Sequence, residues 1–208
     1  MKTERVIFKC GEIELEGQMQ FPDNHQKVRA VIVCHPHSLY GGDMNNNVVM
    51  TVCNAIVENG LAALRFNFRG VGRSGGRFGG GIKEREDVKA AIDYLKLRQD
   101  IDVHEISLVG YSFGGSVAFQ AAAEDKSVKR LALISPALDD KGWKDLAAYP
   151  NPKLILIGDS DEVVSFSRAK RYFTANKDFQ VVAGADHFWR GYEHEVGARI
   201  GKFVKSHG

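Results

Sequence analysis

A serine lies between two glycines where an apolar run gives way to a helical segment. Residues 106–120 read ISLVGYSFGGSVAFQ, so Gly110, Ser112 and Gly114 form the pattern G-x-S-x-G between a predicted strand and a predicted helix. A serine in so tight a turn takes a strained backbone conformation, and side chains at the glycine positions would collide across the bend. The pattern indicates a nucleophilic hydroxyl, although the pentapeptide alone also fits an ordinary glycine-rich turn.

An acid and a histidine follow two later apolar runs. PKLILI is followed by GDSDEVV, which places Asp159 and Asp161 at the end of a predicted strand, and DFQVVAGADHFW brings His187 past another. A histidine can take the proton of a serine hydroxyl, and a buried carboxylate can orient the imidazole. The chain order serine, aspartate, histidine therefore predicts nucleophilic acyl chemistry.

The elements that must position these residues alternate between short β-rich runs and helical patterns. The first two runs, RVIFKC and IELEGQMQF, alternate polar with apolar residues, as a hairpin with one face in water does. The later runs are continuous stretches of Val, Ile and Leu, typical of parallel strands covered on both faces. We expect a three-layer α/β fold with a mostly parallel sheet of about eight strands and ligands at the carboxyl ends of the strands. Helices are predicted near 46–59, 83–98, 114–125, 165–176 and 192–206.

Four parts of the chain together resemble the α/β-hydrolase superfamily: CHPHSLYGG, FNFRGVGRSGG, GYSFGG, and the pair GDSDEVV and ADHFW. The resemblance spans nearly the whole chain and implies a compact serine hydrolase of dienelactone-hydrolase-like or carboxylesterase-like architecture, in one domain over residues 1–208. It implies the triad Ser112, Asp161 and His187. In the family pattern G-D-x-D-x-x-V the second aspartate belongs to the triad, and geometry must decide between Asp161 and Asp159.

The resemblance also implies an oxyanion hole built from backbone N–H groups. One donor is Phe113, the residue after the nucleophile, and the other comes from the loop after the third strand. Many relatives have His-Gly in that loop, but here His35 is followed by Pro36, which has no N–H. We expect His37 to supply the second donor, with Ser38 as the alternative.

The interval that carries a cap in larger relatives is short in this chain. PALDDKGWKDLAAYPN, residues 136–151, can form one short helix, so the fold should have little or no cap and an open site. Aromatic residues are predicted to wall an apolar acyl pocket: Tyr40, Trp143 and Phe188, with Phe113 and Tyr149 as further candidates. We expect hydrolysis of carboxylic esters or thioesters of small to medium acyl groups. An acyltransferase with the same triad and a non-catalytic binding protein of the same fold are the alternatives.

A glycine pattern suggests a different chemistry. Gly70, Gly72 and Gly75 spell the G-x-G-x-x-G of a dinucleotide-binding loop. In that fold the third glycine leads straight into a helix, whereas RFGGG intervenes here. Residues 69–74 also match the R-G-x-G-x-S turn of α/β-hydrolases, so we predict no nucleotide cofactor.

A histidine pair suggests a metal site. His35 and His37 could ligate zinc together with Asp43 or the acids near 159–162, but no third ligand has convincing spacing. We therefore predict no metal.

Composition argues against several classes of partner. The 28 Lys and Arg residues nearly balance the 26 Asp and Glu residues, which favours neither nucleic acid nor an anionic membrane surface. No apolar stretch has the length of a membrane span, and the N-terminal segment lacks a signal-peptide pattern. Three cysteines without metal-type spacing are typical of free thiols in a reducing compartment. We expect a cytoplasmic monomer or homodimer that acts on a small-molecule ester or thioester.

Overall fold

Eight strands form one sheet in which only β2 runs against the other strands. The computed structural model describes residues 1–23, 27–173 and 178–206. The order across the sheet is β1-β2-β4-β3-β5-β6-β7-β8. β2 pairs antiparallel with β1 and β4, and every pairing from β4 to β8 is parallel. The strands are β1 (Lys2–Cys10), β2 (Ile13–Phe21), β3 (Val28–Cys34), β4 (Ala62–Phe66), β5 (Ile101–Tyr111), β6 (Val128–Ile134), β7 (Lys153–Gly158) and β8 (Phe179–Val182).

Helices cover both faces of the sheet and complete the three layers. They are α1 (Asn47–Glu58), α2 (Glu84–Lys96), α3 (Phe113–Glu124), α4 (Asp140–Ala148), α5 (Phe166–Lys170) and α6 (Glu193–Lys205). α1 and α6 share one apolar core with the sheet, and α2, α3 and α4 share the other. Burial on both faces explains why the parallel strands are continuous apolar runs. The predicted three-layer α/β fold with a mostly parallel sheet is confirmed.

The connections agree with the sequence pattern in most places. β1 and β2 form the predicted hairpin and alternate buried with more exposed residues. The interval 136–151 holds α4 and no other helix, so there is no separate cap layer. The helix predicted over 165–176 is shorter, since α5 ends at Lys170, and residues 174–176 lie outside the described residues. Within the described ranges, none of the helices has the length and apolar composition needed to cross a bilayer.

The glycine-rich segment after β4 is a turn packed on the hairpin. The N–H of Gly70 donates to Gly75 O at 3.0 Å, and the N–H of Gly75 donates to Glu14 O on β2 at 2.8 Å. Gly70 has a φ of +76°, which a side chain disfavours. The next helix begins only at Glu84. The segment therefore differs from the strand–turn–helix of a dinucleotide-binding loop.

A buried ion pair joins this turn to α2. The Arg69 guanidinium donates to Asp87 at 2.7 and 2.9 Å, and the Arg69 backbone N–H donates to the same carboxylate at 2.9 Å. The Asp87 side chain is fully buried, and the Arg69 side chain is nearly so. At the start of the same helix, the Glu84 carboxylate accepts the backbone N–H groups of Gly79 and Gly81. α2 thus fixes the path of the glycine-rich segment.

Replacing Asp87 by Asn should destabilise the fold strongly, because the buried Arg69 would lose its buried anionic partner and keep only Glu86, whose side chain is 66% exposed. We expect the free energy of unfolding to fall by about 3–5 kcal/mol. Urea denaturation of Asp87→Asn measures the loss. Asp93→Asn on the same helix is the matched control, since that carboxylate is 57% exposed. It should cost less than about 0.5 kcal/mol, and equal losses in the two variants would contradict the role of the pair.

Candidate active site

Ser112 lies in a sharp turn between β5 and α3 that only glycines on either side allow. Its φ is +54°, a conformation that costs a non-glycine residue free energy. A Cβ on Gly110 would lie 2.3 Å from Gly114 O, and a Cβ on Gly114 would lie 2.3 Å from His35 O. The predicted steric reason for G-x-S-x-G is therefore visible in the backbone. The turn presents the Ser112 hydroxyl at the carboxyl end of β5.

The structure brings Ser112, His187 and Asp161 together at the carboxyl ends of β5, β8 and β7. Ser112 Oγ lies 3.0 Å from His187 Nε2. His187 Nδ1 lies 3.0 and 3.1 Å from the two carboxylate oxygens of Asp161. All three side chains are largely buried. This is the geometry in which an imidazole can accept the serine proton at Nε2 while a carboxylate holds the N–H at Nδ1.

Backbone donors keep the Asp161 carboxylate ionised. Its Oδ1 accepts the N–H groups of Val163 at 2.9 Å and Val164 at 2.7 Å. Burial alone would raise the pKa of Asp161, but hydrogen bonds from His187, from the Val164 N–H and from Ser135 outweigh it and hold the pKa below its usual value. The acid is therefore anionic when the imidazole needs a negative partner.

Asp159 serves the loop and not the histidine. Its carboxylate accepts the N–H of Gly184 at 2.7 Å, which ties the loop after β7 to the end of β8. The Ser160 hydroxyl also contacts it. Of the two aspartates that the sequence left open, Asp161 is the one at His187.

Two further residues with positive φ support the histidine loop, and the sequence patterns did not reveal either of them. Ser135 has a φ of +42° and Trp189 a φ of +58°, and the Trp189 indole N–H donates to Ser135 Oγ at 3.2 Å. The Tyr111 hydroxyl donates to His187 O at 2.7 Å. Strained residues persist where surrounding contacts fix them, and here they flank the candidate site.

The buried imidazole of His35 fixes the loop after β3 through two hydrogen bonds. His35 Nε2 accepts the N–H of Phe68 at 3.1 Å, and its Nδ1 donates to Pro36 O at 2.7 Å. Burial lowers the pKa of His35 to about 4, so the ring is neutral near pH 7. The imidazole links the loop after β3 to the segment after β4.

The backbone N–H groups predicted for the oxyanion hole remain available. The N–H groups of Phe113, His37 and Ser38 donate to no acceptor among the described residues. His35 O lies against Gly114, so this loop is packed directly on the serine turn. The choice between His37 and Ser38 as second donor stays a prediction.

The histidine pair is engaged in other contacts. Both ring nitrogens of His35 have partners, and His37 Nδ1 accepts the N–H of Leu39 at 3.2 Å. No group of three potential metal-ligating side chains lies together anywhere in the described ranges.

Aromatic rings form a wall around Phe113, the residue after Ser112. The His37 ring centroid lies 4.8 Å from Tyr40, 5.0 Å from Phe78 and 4.7 Å from Phe113. We call these four residues the aromatic wall. Phe78 was not among the predicted pocket residues, although a large apolar residue amid the glycines of GGRFGGG was a usable signal. Across the site, the exposed Phe188 ring lies 5.7 Å from His187.

Trp143 belongs to the core, and the prediction that it walls an open pocket is wrong. Its side chain is 1% exposed and packs edge-on against Phe173 at 6.3 Å. α4 is amphipathic and turns Trp143 and Leu146 inward. Tyr149 is likewise buried and packs on Phe119.

Comparison with known proteins agrees with this architecture. Residues 26–143 match the family described as serine aminopeptidase, S33. The chain belongs to this family of α/β-hydrolases. It is 35% identical to the uncharacterized protein RP471 of Rickettsia prowazekii (strain Madrid E), over 96% of this chain and 88% of that protein.

Two solved structures show the same α/β-hydrolase fold. An α/β serine hydrolase homologue from Coxiella burnetii is 36% identical, with a TM-score of 0.87 over 97% of both chains. XC6422 from Xanthomonas campestris, described as an α/β serine hydrolase without lid, is 27% identical. Its TM-score is 0.82 over 98% of this chain and 94% of that one.

Acid should destabilise this α/β-hydrolase through His35. The unfolded chain protonates this histidine near its ordinary pKa of 6.5, whereas the folded protein keeps it neutral down to about pH 4. Stability present above pH 6.5 is therefore lost as the pH falls to 4, by up to about 1.4 kcal/mol per pH unit for one proton.

Urea denaturation at several pH values tests this assignment. His35→Gln should be less stable at pH 7 and should show a shallower decline between pH 6.5 and 4. His104→Gln, at an exposed position on β5, is the control. An unchanged pH slope in His35→Gln would refute the assignment.

Proposed function

We propose that this chain is a serine hydrolase that cleaves carboxylic esters or thioesters of small to medium acyl groups. The observation that carries the proposal is the 3.0 Å contact between Ser112 Oγ and His187 Nε2, with Asp161 on the other side of the imidazole. The family membership and the open, lidless fold support it.

The proposed reaction proceeds in two acyl transfers. His187 takes the Ser112 proton as Oγ bonds to the acyl carbon, and Asp161 stabilises the resulting imidazolium. The tetrahedral oxyanion faces the N–H of Phe113 and that of His37 or Ser38. Collapse breaks the bond to the leaving alcohol or thiol, which receives the proton from His187. Water then attacks the acyl-enzyme by the same route, which releases the acid and restores the serine.

The aromatic wall indicates an apolar acyl group. The rings of His37 and Phe78 pack against Phe113, which directly follows Ser112. Without a cap, the site can enclose only part of a long chain, so small and medium acyl groups should gain the most from it.

An activated serine should react with a fluorophosphonate probe. The wild type should be labelled, and Ser112→Ala should lose both labelling and ester hydrolysis, by about four orders of magnitude or more for the latter. Ser116→Ala, one turn along α3, is the matched control and should keep both. A folded wild-type protein without labelling would favour the non-catalytic binding protein.

Substrate series define the reaction further. Rates on p-nitrophenyl esters should peak at short to medium chain length. Rates that rise steadily with long chains, or turnover of aminoacyl p-nitroanilides without ester turnover, would refute the proposed substrate class. Product analysis with added alcohols separates hydrolysis from acyl transfer, since a transferase would form the new ester in preference to the acid.

The two aspartates offer a matched pair. Asp161→Asn should lower kcat by roughly 10⁴-fold, because the imidazole loses its anionic partner and its correct tautomer. Asp159→Asn changes the same chemical group in the same loop and should lower kcat by less than about tenfold, since it perturbs only loop contacts. The opposite ranking in steady-state kinetics would assign the acid to Asp159.

A further inference from the structure

A basic cavity lies at the edge of the sheet opposite the candidate active site. It occupies about 760 Å³ at the amino ends of β6, β7 and β8, against α6. Four cations line it, and Asp178 is the one carboxylate among its described lining residues. The cations are Arg130, Lys153, Arg199 and Lys202.

Arg130 is buried in this cavity without an anionic partner. The residue is 6% exposed, and its guanidinium packs 6.0 Å from the centre of the Phe203 ring. Among the described residues the Arg130 guanidinium forms no hydrogen bond or ion pair, and its Nε is enclosed with no acceptor. Burial of an uncompensated charge costs several kcal/mol in general, so folded proteins pair such groups.

Lys153 is a second buried cation without a carboxylate. It is 8% exposed, and its Nζ donates to Tyr149 O at 2.7 Å, which uses one of three donors. Arg199 differs, because Glu195 and Gln180 accept its hydrogen bonds. The unmatched positive charge therefore belongs to Arg130 and Lys153, with Lys202 at the rim.

We propose that this cavity binds a small phosphate-bearing anion. The planar guanidinium of Arg130 can offer its Nη donors to phosphate oxygens, which match its fork geometry, and the lysines add charge. The anion would supply the partner that the described residues do not provide. Because the cavity and Ser112 lie at opposite edges of the sheet, the proposal is independent of the proposed function.

Isothermal titration and thermal shift with pyrophosphate test the site. Pyrophosphate should bind the wild type and raise its melting temperature. Arg130→Met should weaken binding by roughly tenfold or more, as expected for lost hydrogen bonds to a charged group. Lys129→Met is the matched control, since it removes one positive charge from the exposed neighbouring position on β6 and should retain wild-type affinity within about twofold.

Additional measurements separate a loss of pyrophosphate binding from a loss of folding. Without pyrophosphate, Arg130→Met should melt at or above the wild-type temperature, because an unpaired buried charge has been removed. Lys202→Met, at the exposed rim, should remain folded and bind pyrophosphate severalfold more weakly than the wild type. Ester hydrolysis should be retained in both variants. Equal affinity in Arg130→Met and Lys129→Met, no binding to the wild type, or binding only to phosphatidylglycerol vesicles would overturn the proposal.

Discussion

The candidate site depends on one steric constraint, the positive φ of Ser112 between two glycines. The Gly110 and Gly114 backbones approach so closely that a Cβ on either would overlap main-chain oxygen. The Ser112 N–H donates to Ile134 O at 2.8 Å, which couples the turn to β6, and His35 O packs against Gly114. Ser112 and the loop after β3 are therefore packed as one unit, so the backbone donors that we propose for an oxyanion would be held in place before charge develops.

Asp161 and His187 are positioned differently, by hydrogen bonds from their own loop and from β5. Asp161 is fixed by two backbone N–H groups of its own loop, and the His187 carbonyl is fixed by the Tyr111 hydroxyl. Trp189 is fully buried while its φ is positive, so the core on the α1 and α6 face offsets the cost of that strained backbone. The conformation of the loop that carries His187 thus depends on the apolar core on the α1 and α6 face of the sheet.

The sequence was sufficient for features that depend on local pattern. Continuous apolar runs predicted the strands, and G-x-S-x-G with GDSDEVV and ADHFW predicted that Ser112, His187 and an aspartate meet, while the geometry decided for Asp161 over Asp159. The prediction that Trp143 walls the pocket was wrong because α4 is short and amphipathic. Residue type alone does not show which face of such a helix turns inward. Phe78 was missed because its contact with His37 joins two loops far apart in the chain. The place of β4 between β2 and β3 likewise depends on tertiary pairing.

The buried charges of this protein differ in whether the fold supplies hydrogen-bonding or ionic partners for them. Asp161 is satisfied by amides and an imidazole, and Arg69 is satisfied by Asp87 in a bidentate pair. In both cases the fold provides every partner, as the cost of an isolated charge requires. Arg130 is buried to a similar degree, yet a ring face is its contact among the described residues. A cation–π contact contributes about 0.5–2 kcal/mol, less than the penalty for burying an ion, so an anion bound in the cavity would add the partner that the described residues do not supply.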